Sequence, residues 1–115
     1  MDAKRSRAFA TLDPAQLDAV YVRGSAPWSA DRALLASYRQ QQIRIESLRQ
    51  QIKAVTVETP GRTTVVLRIV DRLVSGVAVT PSGHRTKFPP GQPTARRLTL
   101  TTTAGNWRIT AITKA

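Results

Sequence analysis

The sequence predicts an α+β fold in which two or three N-terminal helices pack on a curved antiparallel sheet of four to five strands. Three observations carry this reading. The first third of the chain holds helix start and stop signals around apolar residues at helical spacing. From Ile43 onward the apolar residues alternate with polar ones and are rich in Val, Ile and Thr, as strands are. Near the C-terminus, two such runs flank Ala104-Gly105-Asn106. A tight hairpin turn needs positive φ, and Gly and Asn supply it at little cost.

The elements follow in order. Residues 3–11 read as a short helix with Ala8 and Phe9 as its apolar contacts and Asp2 placed to cap it. Asp13-Pro14 restarts a helix over 14–20: Asp caps, and Pro at the first helical position loses no useful N–H. Leu17, Val20 and Tyr21 form its apolar side, and Gly24 stops it. Ser29 is expected to cap a third helix from Ala30 to about Gln42, with Leu34, Leu35 and Tyr38 as its stripe. Asp31 in its first turn and Arg39 near its end suit the helix dipole.

A long strand is expected over 48–58. Leu48, Ile52 and Ala54 mark one face and Val55 and Val57 the other, and that shift of phase predicts a β-bulge or a bend that re-aims the strand. Thr59-Pro60-Gly61-Arg62 makes the turn into the most apolar strand, 63–73. There Val65, Leu67 and Ile69 face one way and Val66 and Val70 the other, as in a strand covered on both sides. A separate strand is expected over 74–80 after a kink at Ser75-Gly76, then a Pro-rich loop to Thr94. The closing hairpin points Leu98 and Leu100 inward on one arm and Trp107 and Ile109 on the other.

Length and composition fit one domain spanning 1–115 with a real hydrophobic core. The chain has no cysteine, which excludes disulfides, thiolate metal sites and cysteine nucleophiles. Eighteen Lys and Arg against seven Asp and Glu give a net charge of +11. Such a surplus attracts polyanions: nucleic acid, an anionic membrane or a cell-wall polymer. No run approaches the ~18 apolar residues of a transmembrane helix, and no signal-peptide pattern opens the chain. The start reads as though inside a helix, so the domain is expected to be part of a longer protein.

Helices, a long bent strand and a meander ending in Gly105-Asn106-Trp107-Arg108-Ile109 resemble the nuclear-transport-factor-2-like superfamily, the cystatin-like α+β roll. The Asp13-Pro14 start, "DRALLASY" at 31–38 and "VVLRIVDRL" at 65–73 add to the likeness. Together they look like small Arg-rich actinobacterial domains tethered outside the membrane. The resemblance implies a cone-shaped roll with a pocket between helices and sheet. It also implies an extracytoplasmic, membrane-tethered setting, the cytoplasm being the alternative, and dimers formed through the outer sheet face. Val55, Val57, Val66 and Val70 are the candidate residues for such a face.

Asp71 continues the face of Val65, Leu67 and Ile69 and so points toward the pocket. Enzymes of the resembled superfamily place a general base there, as ketosteroid isomerases and polyketide cyclases do, and an apolar site tunes a carboxyl for that work. The competing reading pairs Asp71 with Arg68, Arg72 or an arginine of a neighbouring strand such as Arg97. Trp28 and Tyr38 are candidate pocket walls with core packing as the alternative. Arg68, Arg72, Arg96 and Arg97 are candidate anion-binding residues: the first two belong to a basic stripe with Arg44, Arg49, Lys53 and Arg62, the last two to a second cluster with Arg85 and Lys87. The strands lack interleaved aromatics to stack bases, so nothing supports nucleic-acid binding beyond charge. His84, the lone histidine, lies in a loop without partners, and no metal or cofactor is expected. The expected function is therefore a non-enzymatic binding or scaffolding domain of a bacterial membrane-tethered protein. It would offer its sheet or pocket to a protein partner, a second copy or an anionic surface. A ligand-binding or isomerase-like enzyme using Asp71 is the first alternative, and a charge-driven nucleic-acid binder the second.

Overall fold

A computed structural model describes residues 2–115. The side chain of Asp2, and with it the expected cap, lies outside the described part. Three helical segments pack on a curved, open, five-stranded antiparallel sheet, as the sequence predicts. Helix α1 (Asp2–Thr11) leads to a 3₁₀ helix (Pro14–Ala19) and helix α2 (Ala26–Gln41). Strands β1 (Arg44–Thr59), β2 (Thr64–Val79), β3 (Arg85–Lys87), β4 (Thr94–Thr103) and β5 (Asn106–Lys114) follow. The strand order is β1-β2-β4-β5, with β3 pairing only the end of β2.

The Asp13-Pro14 signal holds: Asp13 Oδ1 accepts from the Ala15 amide at 3.0 Å. The helix it starts is a 3₁₀ turn and not an α-helix, because the chain soon leaves it to run beside β5. The Val22 amide donates to the Ile109 carbonyl and the Ile109 amide to the Val20 carbonyl, both at 2.8 Å. This extended segment covers the outer edge of β5 and ties the helices to the sheet.

Helix α2 starts a turn earlier than expected. Its cap is Ser25, not Ser29, and Pro27 occupies its first turn. Ser25 is followed by a proline whose fixed φ suits the first turn, and that combination outcompetes the later serine. Trp28 therefore sits inside the helix. Leu35 is buried, whereas Leu34 is 42% exposed and lies off the packed stripe.

The chain does not divide into two strands at Ser75-Gly76: β2 runs for 16 residues, and the expected kink is a register irregularity between Leu73 and Ser75, which brings Ser75 onto the surface of Arg72. Gly76 serves a close approach: a Cβ there would lie 2.8 Å from the Phe88 ring, so only glycine lets the Pro-rich segment cross so closely. That segment is not all loop, since it contributes β3. Strand β1 begins at Arg44, earlier than expected, and carries the anticipated bulge between Ile52 and Ala54.

The bulge has a consequence for the faces. In an antiparallel pair, directly opposite residues share a face. Ile52 pairs with Asp71, Val55 with Ile69 and Val57 with Leu67, all on the inner, helix-facing surface. Val70 pairs instead with Ala54, on the outer surface. The four valines expected on one face thus divide: Val66 and Val70 lie outside, Val55 and Val57 inside. The extra residue, Lys53, shifts the phase of β1 by one.

The core consists of Ala8, Phe9, Leu17, Val20, Tyr21, Leu35, Ile45 and Ile109, so the helices run diagonally from Ile45, which pairs with the end of β2, to Ile109 on β5. Beyond it the sheet continues uncovered. Trp107, expected in the core, is 39% exposed because it opens β5 just beyond buried Ile109, where the helical cover stops.

Candidate functional site

A cleft of about 410 Å³ opens between α2 and the inner surface of the sheet. Its floor is apolar: Ile52 from β1, Ile69 from β2, Leu98 from β4, and Ile109 and Ile112 from β5. The first turn of α2 (Ala26, Pro27 and Ala30) forms its roof. Beyond the cleft the floor continues as an uncovered strip, on which Ile52, Val55 and Val57 are 51%, 53% and 55% exposed.

Two ion pairs punctuate the apolar lining. Asp71, 8% exposed, takes a hydrogen bond from Arg96 Nη2 at 2.7 Å. Arg96 Nε is buried beside it without a partner among the described residues. On the opposite wall Asp31 accepts from Arg5 Nε at 2.7 Å, Arg5 Nη2 at 3.2 Å and the Tyr21 hydroxyl at 2.6 Å. Burial would lower the basicity of the Arg5 guanidinium, but the hydrogen bond and charge of Asp31 outweigh it and hold the group above its ordinary value.

Burial, and then the hydrogen bond to Asp31, push the Tyr21 phenol well above its ordinary 10.0. A folded-state value above the unfolded one gives stability that is complete below the ordinary phenol value and lost as pH rises past it. In an alkaline titration followed by tyrosinate absorbance, Tyr21 is expected to stay protonated until the protein unfolds. Tyr21→Phe should remove the resistant component. Smooth ionisation of every tyrosine at its ordinary value in the folded protein would contradict this.

Of the expected pocket residues, only Asp71 lines the cleft. Trp28 donates its indole N–H to Asp18 Oδ1 at 2.8 Å and stacks under the Arg32 guanidinium. Tyr38 packs edge-on against Phe9, ring centroids 6.1 Å apart. Both aromatics serve packing. Asp71 is paired with an arginine of the neighbouring strand, as expected, but that arginine is Arg96 and not Arg97, for a simple reason. Arg96 pairs with Ile69 and shares its face, one diagonal step from Asp71, while Arg68 and Arg97 oppose each other on the outer surface. His84 is exposed in the turn before β3, its amide held by Thr80 Oγ1.

Arg5, Tyr21 and Asp31 were missed as site residues, although the sequence carries a signal for one. Asp31, Leu35 and Tyr38 stand at i, i+4 and i+7, so the acid lies on the buried stripe of α2. A buried acid demands partners.

No protein-family model matches the chain, and no curated protein is similar to it. Solved structures share its fold. The intermembrane space region of chloroplast protein ARC6 superposes with a TM-score of 0.62 at 16% identity, covering 96% of this chain and 86% of that one. Aln2 from a Streptomyces species does so at 0.58 and 17%, covering 98% and 83%. An uncharacterized protein with a cystatin-like fold from Caulobacter vibrioides reaches 0.49 at 14%, covering 98% and 83%. The fold is the nuclear-transport-factor-2-like, or cystatin-like, α+β roll, in agreement with the sequence resemblance.

Proposed function

We propose that this chain is a non-enzymatic binding domain that receives an extended, largely apolar segment of a protein partner along the inner surface of its sheet. The observation that carries the reading is the continuity of the cleft floor with the exposed strip of Ile52, Val55 and Val57. Soluble proteins rarely leave such a surface open without a partner to cover it. Enzymatic use of the cleft is less well supported, since its acids, Asp71 and Asp31, are already engaged by Arg96 and by Arg5 with Tyr21.

The setting expected from the sequence, a bacterial protein tethered to the outside of a membrane, belongs to the same proposal. Among the described residues no helix is long and apolar enough to cross a membrane, so a tether would be a separate segment. The ARC6 likeness is a precedent for this roll as one region of a larger protein.

Peptide display on the immobilised protein tests the binding role. Selected peptides should be rich in apolar residues, and Ile69→Arg or Val57→Arg should weaken them about ten-fold or more, the scale of losing one buried apolar contact. Arg68→Gln, on the outer surface, should leave them bound. Peptides selected only for acidic residues, or indifferent to the first two changes, would refute the proposal.

A further inference from the structure

The outer surface of the sheet has a different chemistry. The register places Arg68 of β2 directly across from Arg97 of β4, with Thr56 and Thr113 completing the row. Arg72 lies across from Gln51, and Arg49 across from Ser75, on the same surface. Arg44 and Arg85 extend it toward the end of β2 through Val79. The acids that reach these cations are Glu46, which takes Arg44 and Arg85, and Glu58, which takes Arg97. Arg49, Arg68 and Arg72 have no acidic partner among the described residues. Glu58 compensates Arg97, which leaves Arg49, Arg68 and Arg72 as the cations of this surface that an external anion would meet.

We infer that the outer surface docks on an anionic lipid bilayer, its arginines lying among the headgroups. Charge complementarity selects an anion and disfavours the second copy implied by the superfamily resemblance. A two-fold pairing centred on Val66 and Val70 would press the intervening Arg68 and its neighbour Arg97 against the same pair, and like-charge juxtaposition opposes association. The shape and composition then choose among anions. The sheet curves around the helices, so this surface is convex. A convex sheet four strands wide cannot enter a major groove ~12 Å across. It carries no aromatic side chain on which single-stranded bases would stack: Phe88 packs at Gly76, and Trp107 shares the surface of Leu100 and Ile109. Dispersed cations without a groove suit mobile headgroups, which rearrange to meet them. Each basic residue near an anionic membrane adds to the attraction, which falls off within a Debye length. This inference is independent of the inner-surface binding role and leaves that surface free.

The test is co-sedimentation with phosphatidylcholine vesicles containing or lacking phosphatidylglycerol, at physiological salt. The protein should pellet with the anionic vesicles only. The triple variant Arg49→Gln, Arg68→Gln, Arg72→Gln should lose about ten-fold or more in affinity. A charge-matched variant of exposed helix-side residues, Arg7→Gln, Arg23→Gln, Arg39→Gln, should stay within about two-fold, since these cations face away from the bilayer. Circular dichroism of both variants confirms that each is folded. Equal losses in the two variants would overturn the inference in favour of bulk charge. So would absence of lipid preference, tighter binding of DNA than of vesicles through the same arginines, or self-association through Arg68 and Arg97.

Discussion

Asp31→Ala is expected to destabilise the protein by about 3 kcal/mol, read as a fall in the urea midpoint at unchanged slope. The carboxylate is 9% exposed and is the shared acceptor of Arg5 and Tyr21. Its removal strands a guanidinium and a buried hydroxyl together. A lost partner for a buried charge costs more than the pair itself contributes, because the remaining charge cannot rehydrate. The value stays at the lower end of that range, since the Arg5 side chain is 27% exposed and retains its contact over the Phe9 ring, 5.0 Å from the centroid. The combination Asp31→Leu, Arg5→Met, Tyr21→Phe should recover most of the loss by leaving no polar group unpaired. Should Asp31→Ala be neutral, or the triple variant fall further than the single one, the cluster would not be the link between α1, α2 and the segment beside β5 that the geometry describes.

This cluster also marks where the sequence stops being legible. Local rules placed the elements: Pro14 in a first turn, Gly105 in a hairpin, the phase shift before Val55 as a bulge. Each depends on a few neighbouring residues and the sterics of one backbone region. The Asp71–Arg96 pair was within reach too. Arg96 has the parity of inward-facing Leu98, so alternation alone would have preferred it to Arg97. The bulge was anticipated, but its effect on Val55 and Val57 was not, because a face is assigned only once the opposite strand is known. The Arg5–Asp31–Tyr21 contact joins three segments whose approach is set by tertiary packing, and no spacing rule reports it. Trp107 misled for a related reason. Alternation correctly gave its face, yet burial depends on what covers that face, and the helices end before they reach it.

Phe9, which the packing encloses, and Trp107, which it leaves open, should therefore respond very differently to truncation. Phe9→Ala removes a ring that is 2% exposed, packed against Tyr38 and covered by Arg5. The lost transfer energy and the cavity left in a close-packed core together cost about 3–5 kcal/mol. For a domain of this size that lowers the thermal midpoint by about 15 °C or more. Trp107→Ala removes a larger side chain from a site 39% exposed beyond the helical cover, and its cost should be under about 1 kcal/mol. Calorimetry on the two variants decides the matter, and equal losses would mean that the core reaches Trp107. The asymmetry bears on binding as well. Phe9 fixes α1 and thereby holds Arg5 in the wall of the cleft, so Phe9→Ala should weaken an apolar guest along with the fold. Trp107 lies on β5, across the sheet from the β1 strip, and does not line the cleft, so its loss should leave the guest bound. A protein that lays its helices diagonally across a long sheet keeps the remainder free to be covered by something else.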